Sequence, residues 1–185
     1  MDANPTLVLS KELASGERLL WSGRPQQGVV VRRTDLFLIP FSLLWCGFAV
    51  FWEATVLTSK APLLFRLWGI PFVLVGLYLV VGRFLVDAHQ RGQTVYGLTD
   101  QNVVIVSGLR TRTVKRLTLR TLSDVSLEER SDRRGTITFG PTVPAAAWFA
   151  GGSWPGMGRT MVPSFDLIEN ARVVYDLILR TQRGA

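Results

Sequence analysis

The sequence predicts a two-helix transmembrane hairpin joined to a small all-β domain, a barrel or sandwich of about seven short strands closed by a C-terminal helix. Three observations predict it. Two nearly uncharged apolar runs, LFLIPFSLLWCGFAVFW and LLFRLWGIPFVLVGLYLVV, fall between Asp35 and Val86. With their flanks, each reaches the about 20 residues of helix that cross a bilayer. From His89 onward, short β-branched runs with period two alternate with turn residues, and the last stretch has helical period. The chain divides accordingly into an N-terminal cytoplasmic segment with the first strand (1–33), the hairpin (34–86) and a cytoplasmic β domain (87–185).

Residues 1 to 16 lack a sustained period and read as a lead-in. They also lack the cationic start, apolar core and small-residue cleavage site of a signal peptide, so this segment is expected to be retained. GERLLWSGRP reads as one strand around Leu20 and Trp21, ended by Gly23 and Pro25, since proline has no amide to give a ladder. In the hairpin, Pro40 and Pro71 are placed near helix starts, where a missing donor is tolerated. Ser42, Cys46 and Ala49 form a small-residue stripe on the first helix, and Gly69 and Gly76 form a seam on the second. These are the helix-packing positions, because small residues let transmembrane backbones approach closely. Trp45, Trp52 and Trp68 are candidate interfacial anchors, and Arg66 and Arg83 sit at helix ends, where they can snorkel. No polar residue is expected in the middle of either span.

Topology follows from the flanking charge. Arg32 and Arg33 precede the first helix, and Arg83 and Arg91 end or follow the second, whereas the connecting loop offers Lys60 and Arg66. The positive-inside rule then puts both termini in the cytoplasm of a multi-pass inner-membrane protein. The whole chain has 185 residues and a net charge of +7. Basic surfaces meet phosphates, and beside a bilayer the expected phosphates are those of membrane lipids. Arg24, Arg32, Arg33, Arg83 and Arg91 are the candidate headgroup residues.

In the β domain, TVYGL, NVVIVSG, TVKRLTL, SDVSLEER and GTITFG are the predicted strands, with a turn at Asp132–Gly135. Val114, Arg116, Thr118 and Arg120 share one parity and Lys115, Leu117 and Leu119 the other, without a clean face. Arg110, Arg112, Lys115, Arg116 and Arg120 form a second basic cluster, read either as a solvated face or as a site for lipid phosphate or an acidic protein. Aromatics are not interleaved with it, which argues against nucleic acid. Residues 141–163 carry Trp148, Phe149, Trp154, Met157 and Met161 amid glycine, alanine and proline. Three roles stay open for this loop: covering a barrel end, dipping into the membrane interface, or gripping another protein. SFDLIENARVVYDLILRTQR reads as the closing helix, with Ile168, Ala171, Tyr175, Ile178 and Leu179 on one side and Asp166 and Glu169 as a capping box.

Chemistry is sparse. The one histidine, His89, lies beyond the second helix, and the one cysteine, Cys46, lies inside the first, so neither a Cys–His site nor an intramolecular disulfide can be built. Asp124, Glu128 and Glu129 are close in sequence, but neighbouring strand residues point to opposite faces, against a carboxylate pair. GGSWPGMGRT fails the phosphate-loop pattern, because Arg159 stands where lysine is required. No enzyme activity, metal or cofactor is expected.

RGQTVYGLTDQNVVIVSG, a basic strand, LSDVSLEER, a turn, GTITFG and VPSFDLIENARVVYDLI, in that order, resemble the bacterial pleckstrin-homology-like (PH-like) domain of inner-membrane proteins. In that family an opening like GERLLWSGRP precedes a pair of transmembrane helices, and a variant of YxLTdxR begins the main β domain. Tyr96, Leu98, Thr99 and Asp100 match, while Asn102 stands where a basic residue is common. The resemblance implies a seven-stranded, strongly bent barrel or sandwich capped by the C-terminal helix, with the hairpin inserted after the first strand. It implies no particular function, since fold does not transmit one. The expected role is a non-enzymatic binding or scaffolding module at the membrane surface, for lipid headgroups or a protein partner, with a homo-oligomer admitted. The alternative is an accessory or assembly subunit of a larger inner-membrane complex, photosynthetic or respiratory.

Overall fold

Strand β1 (Leu19–Gly23) finds its partner on the far side of the hairpin. It pairs antiparallel with β2 (Val95–Thr99), Trp21 opposite Leu98 and Gly23 opposite Tyr96. The computed structural model describes residues 4–32, 35–59, 61–108, 112–140 and 162–184. β3 (Asn102–Ser107) and β4 (Thr113–Thr118) extend an antiparallel meander of order β1-β2-β3-β4. β5 (Val125–Glu129), β6 (Gly135–Phe139) and β7 (Ser164–Ile168) make a second antiparallel sheet of order β5-β6-β7. Two sheets of 4 and 3 strands and a C-terminal helix agree with the predicted architecture.

The core lies between these layers. Phe165 is its hub: its ring centroid lies 4.8 Å from Tyr96, 5.0 Å from Phe139 in an edge contact, and 5.5 Å from Trp21. Leu98, Val103, Leu119, Ile137 and Ile168 fill the space around it. The last helix contributes Ala171, Val174 and Ile178. β2 and β3 are buried along nearly their whole length instead of alternating. The cause is a short helix, α1 (Pro5–Ser10), capped by Asn4, whose Oδ1 accepts from Thr6 N at 3.1 Å. α1 lays Leu9 over Val95, Val104 and Val106 on the outer face of the sheet. Gly97 makes room for it, because a Cβ there would stand 2.9 Å from both Leu9 methyls. Within the segment read from sequence as a lead-in, Pro5–Ser10 is therefore a packed element.

The hairpin starts with α2 (Asp35–Thr58) and returns as one continuous helical rod, Leu63–Gly92. That rod comprises α3 (Leu63–Leu77), a π-helical turn at Tyr78–Gly82 and α4 (Arg83–Gly92). At 1.5 Å per residue the two rods span about 36 and 45 Å, against about 30 Å for a hydrocarbon core. Both are long and apolar enough to cross a membrane, and 17% of the most apolar window of either is buried within the protein. A core helix of a soluble domain would hide most of that surface. Here Phe37, Leu44, Phe51, Leu64 and Leu74 point outward. Ser42, Ala49, Gly69 and Gly76 are buried between the rods, Cys46 is half-buried, and a Cβ on Gly76 would stand 2.9 Å from Cys46 Cα. Trp45 and Trp68 flank Phe72 at 6.5 and 6.2 Å, and Trp52 is exposed.

Three expectations are corrected. Pro40 and Pro71 both lie inside their helices, not near their starts. Residues 89–92 continue the second rod, and strand geometry begins only at Val95. Ser164–Ile168 is a strand, so Asp166 belongs to β7 and does not cap the last helix, α5 (Ala171–Gly184). Glu53, which the sequence reading did not weigh, stands near the loop end of α2, and its Oε2 is buried against α3. Trp148, Phe149, Trp154, Met157 and Met161, with Arg33 and Arg110, lie outside the described residues.

Candidate functional site at the junction of hairpin and β domain

Pro25 ends β1, and residues 24–32 run across the β domain to reach α2 while α4 returns beside them. Arg91, at the end of α4, closes this junction. Its guanidinium is completely buried and donates from Nη1 to the carbonyl of Gln26 at 3.1 Å and from Nη2 to that of Gly28 at 2.7 Å. One turn earlier, Asp87 pairs with Arg91 Nη2 at 2.9 Å, the i,i+4 spacing that puts two side chains on one helix face. The planar fork of arginine suits it to satisfy several fixed acceptors at once.

Arg32 carries the network into the second sheet. Its Nη2 lies 2.8 Å from Asp166 Oδ2 on β7 and 3.7 Å from Asp87 Oδ1. Asp166 also accepts from Thr136 Oγ1 at 3.3 Å, and its backbone N–H donates to Tyr96 Oη at 3.2 Å. Leu167 adopts φ +49°, which presents its carbonyl to Gln26 N at 3.0 Å. Arg130, beside the β5–β6 turn, donates to the carbonyl of Val31 at 3.2 Å. The linker is thus fastened to β7, to the β5–β6 turn and to α4.

Closer to the hairpin, Asp35 Oδ2 accepts from Arg32 N at 2.6 Å, and Asp35 Oδ1 lies 3.2 Å from Arg83 Nη1. Both side chains of this pair are nearly fully buried. The arrangement therefore turns two of the headgroup candidates, Arg83 and Arg91, inward. Arg83 and Arg91 are buried and face internal partners, Arg32 bridges two carboxylates, and Arg24 is partly buried. What the junction does chemically is hold: it ties two strands and two helix ends together with charge-assisted bonds.

A second polar cluster sits at the opposite end of β2. Glu17 Oε1 accepts from Thr99 Oγ1 at 2.7 Å and from Asn102 Nδ2 at 2.9 Å. Glu17 Oε2 accepts from Ala14 N at 2.8 Å and pairs with Arg116 Nη1 at 3.2 Å. Burial pushes the Glu17 carboxyl up, but the Ala14, Asn102 and Thr99 donors and the Arg116 charge outweigh it and hold the group below its ordinary 4.5. Asn102 supplies a donor where the resemblance leads one to expect a cation, and Arg116 supplies the positive charge from the neighbouring strand.

The rest of the basic cluster is dispersed. Arg112 pairs with Glu12 at 2.8 Å, Lys115 is half-buried, and Arg120 is exposed. His89 is exposed on α4 beside Gln93. Asp124, Glu128 and Glu129 are exposed, and Glu129 lies 3.6 Å from Arg172. Among the described residues, no group of three or more His, Cys, Asp or Glu side chains is placed to hold a metal ion. Sequence reasoning missed Glu17, Asp35, Asp87 and Asp166. Only Asp87 had a local signal, its i,i+4 spacing from Arg91. Comparison with known proteins finds no matching family model, no matching curated protein and no matching solved structure.

Proposed function

We propose that this chain is a non-enzymatic integral membrane protein whose β domain works as a binding or scaffolding module held against the cytoplasmic face of a bacterial inner membrane. The observation that carries the reading is the junction. Arg91, Arg32, Asp87 and Asp166 fasten a hairpin with outward-facing apolar side chains to the β domain. A domain joined by two chain crossings and several charge-assisted bonds keeps one face toward the bilayer. Polar groups that serve catalysis need room for a substrate, whereas Arg32, Asp87, Arg91 and Asp166 are engaged with one another and with the linker carbonyls of Gln26 and Gly28. Positive flanks favour both termini inside, because the rule counts Lys and Arg regardless of pairing. The PH-like fold is kept as part of this proposal: two sheets with a C-terminal helix across one end suit it.

The test is purification of the full chain from native membranes in mild detergent, followed by mass spectrometry of everything retained. A reproducible phospholipid or protein companion is the expected result. A bare chain that instead turns over a small molecule would sink the reading. A fixed-stoichiometry assembly of many subunits would favour the accessory-subunit alternative.

A further inference from the structure

α4 sets a depth scale for the chain beside it. Asp35 and Arg83 lie 3.2 Å apart where the hairpin begins, and the next α2 side chains, Leu36 and Phe37, are apolar and exposed. One turn past Arg83, Asp87 lies 3.7 Å from Arg32, and a further turn on, Arg91 holds the carbonyl of Gly28. At about 5.4 Å per turn, the linker therefore stands about 5 Å above the Asp35 level at Arg32 and about 11 Å above it at Gly28. A bilayer about 40–45 Å thick with a hydrocarbon core of about 30 Å has a headgroup layer of about 5–8 Å on each side. With Asp35 at the edge of the core, Val31, next to Arg32, falls in the outer part of that layer.

The β5–β6 turn is fastened at that level. Arg130 Nη2 donates to the Val31 carbonyl at 3.2 Å, and Arg130 N donates to the Arg134 carbonyl at 2.7 Å, which closes the turn. Ala171 N donates to the Arg133 carbonyl at 3.2 Å and brings the first turn of α5 to the same corner. Among the described residues outside the hairpin, the exposed large apolar side chains are Leu7, Leu20, Val29, Val31 and Val173. Two of them stand at this corner, Val31 51% and Val173 67% exposed, with the exposed Arg133 and Arg172 between and beside them. Glu169 pairs with Arg134, and Glu129 lies 3.6 Å from Arg172. With Glu128 and Asp132 set against Arg130 and Arg133, the corner carries no net charge and selects no anionic headgroup.

We propose that this corner is a bilayer-contact site. Val31 and Val173 pack among the glycerophospholipid headgroups of the leaflet on the β-domain side, where an apolar side chain gains by leaving water. Arg133 and Arg172 donate to lipid phosphodiesters, the group those headgroups share; the arginine fork matches phosphate oxygens, and its stem lies along apolar neighbours. The site rests on the membrane-surface role proposed above and names the face that the β domain turns to the bilayer.

The test uses the full chain in a Cys46→Ser background, reconstituted in dioleoyl phosphatidylcholine vesicles, with one nitroxide-labelled cysteine at a time. Val31→Cys and Val173→Cys probe the corner. Ser123→Cys, exposed beside the other end of β5, is the water control, and Leu44→Cys, exposed on α2, is the hydrocarbon control. Spin relaxation reads collisions with oxygen, which concentrates in lipid, and with a nickel chelate, which stays in water. Both corner labels should lose nickel contact and gain oxygen contact relative to Ser123→Cys. Arg133→Glu with Arg172→Glu should restore nickel contact to the Val173→Cys label, because carboxylates repel the phosphodiesters; these side chains are exposed, and a melting curve checks that the variant folds. Corner labels as open to nickel as the Ser123→Cys label would overturn the site. So would loss of contact with both reagents, which marks cover by a second copy or another protein, and so would a Val173→Cys label indifferent to the two glutamates. If the Leu44→Cys label then still reports hydrocarbon, the bilayer-contact site alone falls; if it too meets nickel, the membrane reading falls with it.

Discussion

Replacing Arg91 by methionine separates an internal role for this residue from a headgroup role. Methionine keeps most of the buried volume but removes every donor. Two linker carbonyls, of Gln26 and Gly28, lose their partner, and Asp87 loses its 2.9 Å ion pair. Breaking a buried pair from one side costs about 3–5 kcal/mol. Asp87 is 28% exposed and keeps Arg32 at 3.7 Å, so its share is discounted for solvent screening. The expected loss is about 3 kcal/mol, which for a chain of this size lowers Tm by about 6–12 °C. The assay is thermal unfolding of the purified full chain in detergent, with Arg120→Met as the exposed control. Arg91→Lys should fall between the two, since an ammonium keeps the charge but cannot reach all three acceptors in the fork geometry. A melting point for Arg91→Met within about 2 °C of the control's would refute the junction as the fastening.

Two further outcomes follow from the β domain. The Glu17 carboxyl sits below its ordinary 4.5 when folded, so the folded state binds its proton more weakly than the unfolded chain. Its contribution is complete above the unfolded value and is lost as pH falls through the lowered folded one. Glu17→Gln should therefore destabilise the protein at pH 7 and flatten the loss of Tm between about pH 5 and 3, and an acid limb as steep as the wild type's would contradict this. Gly97→Val should push Leu9 and α1 off the sheet at a cost of about 1–3 kcal/mol and speed amide exchange in residues 5–10. Leu9→Ala in the same chain should cost less than the two single changes together, and strict additivity would show that the two sites do not touch.

The hairpin was legible because its signal is local: long uncharged runs need no knowledge of the rest of the fold. Six strands were legible for the same reason, through period two and turn residues. β7 was not, because only Glu169 and Asn170 separate it from α5, and Ile168 followed by Ala171 mimics helical spacing. A left-handed turn at Asn170, φ +49°, switches the chain from strand to helix there, and no pattern of apolar residues records it. α1 is too short for a period to be read, and its place depends on the gap at Gly97, distant in sequence. The junction was hidden for a deeper reason. Arg32 and Asp166 are 134 residues apart, and flanking arginines obey the same positive-inside rule whether they meet lipid or an internal carboxylate.

The central claim is that residues 35–92 form a membrane hairpin with the β domain on one side of it. Cys46 is the single cysteine, so a Cys46→Ser background permits one reporter thiol at a time. Ser59→Cys, in the loop, and Arg183→Cys, near the C-terminus, can be probed in intact bacterial spheroplasts with a membrane-impermeant maleimide. The account predicts that the loop thiol labels at once and the C-terminal thiol only after lysis. Equal labelling of both before lysis, or a chain released from membranes by alkaline carbonate, would contradict it.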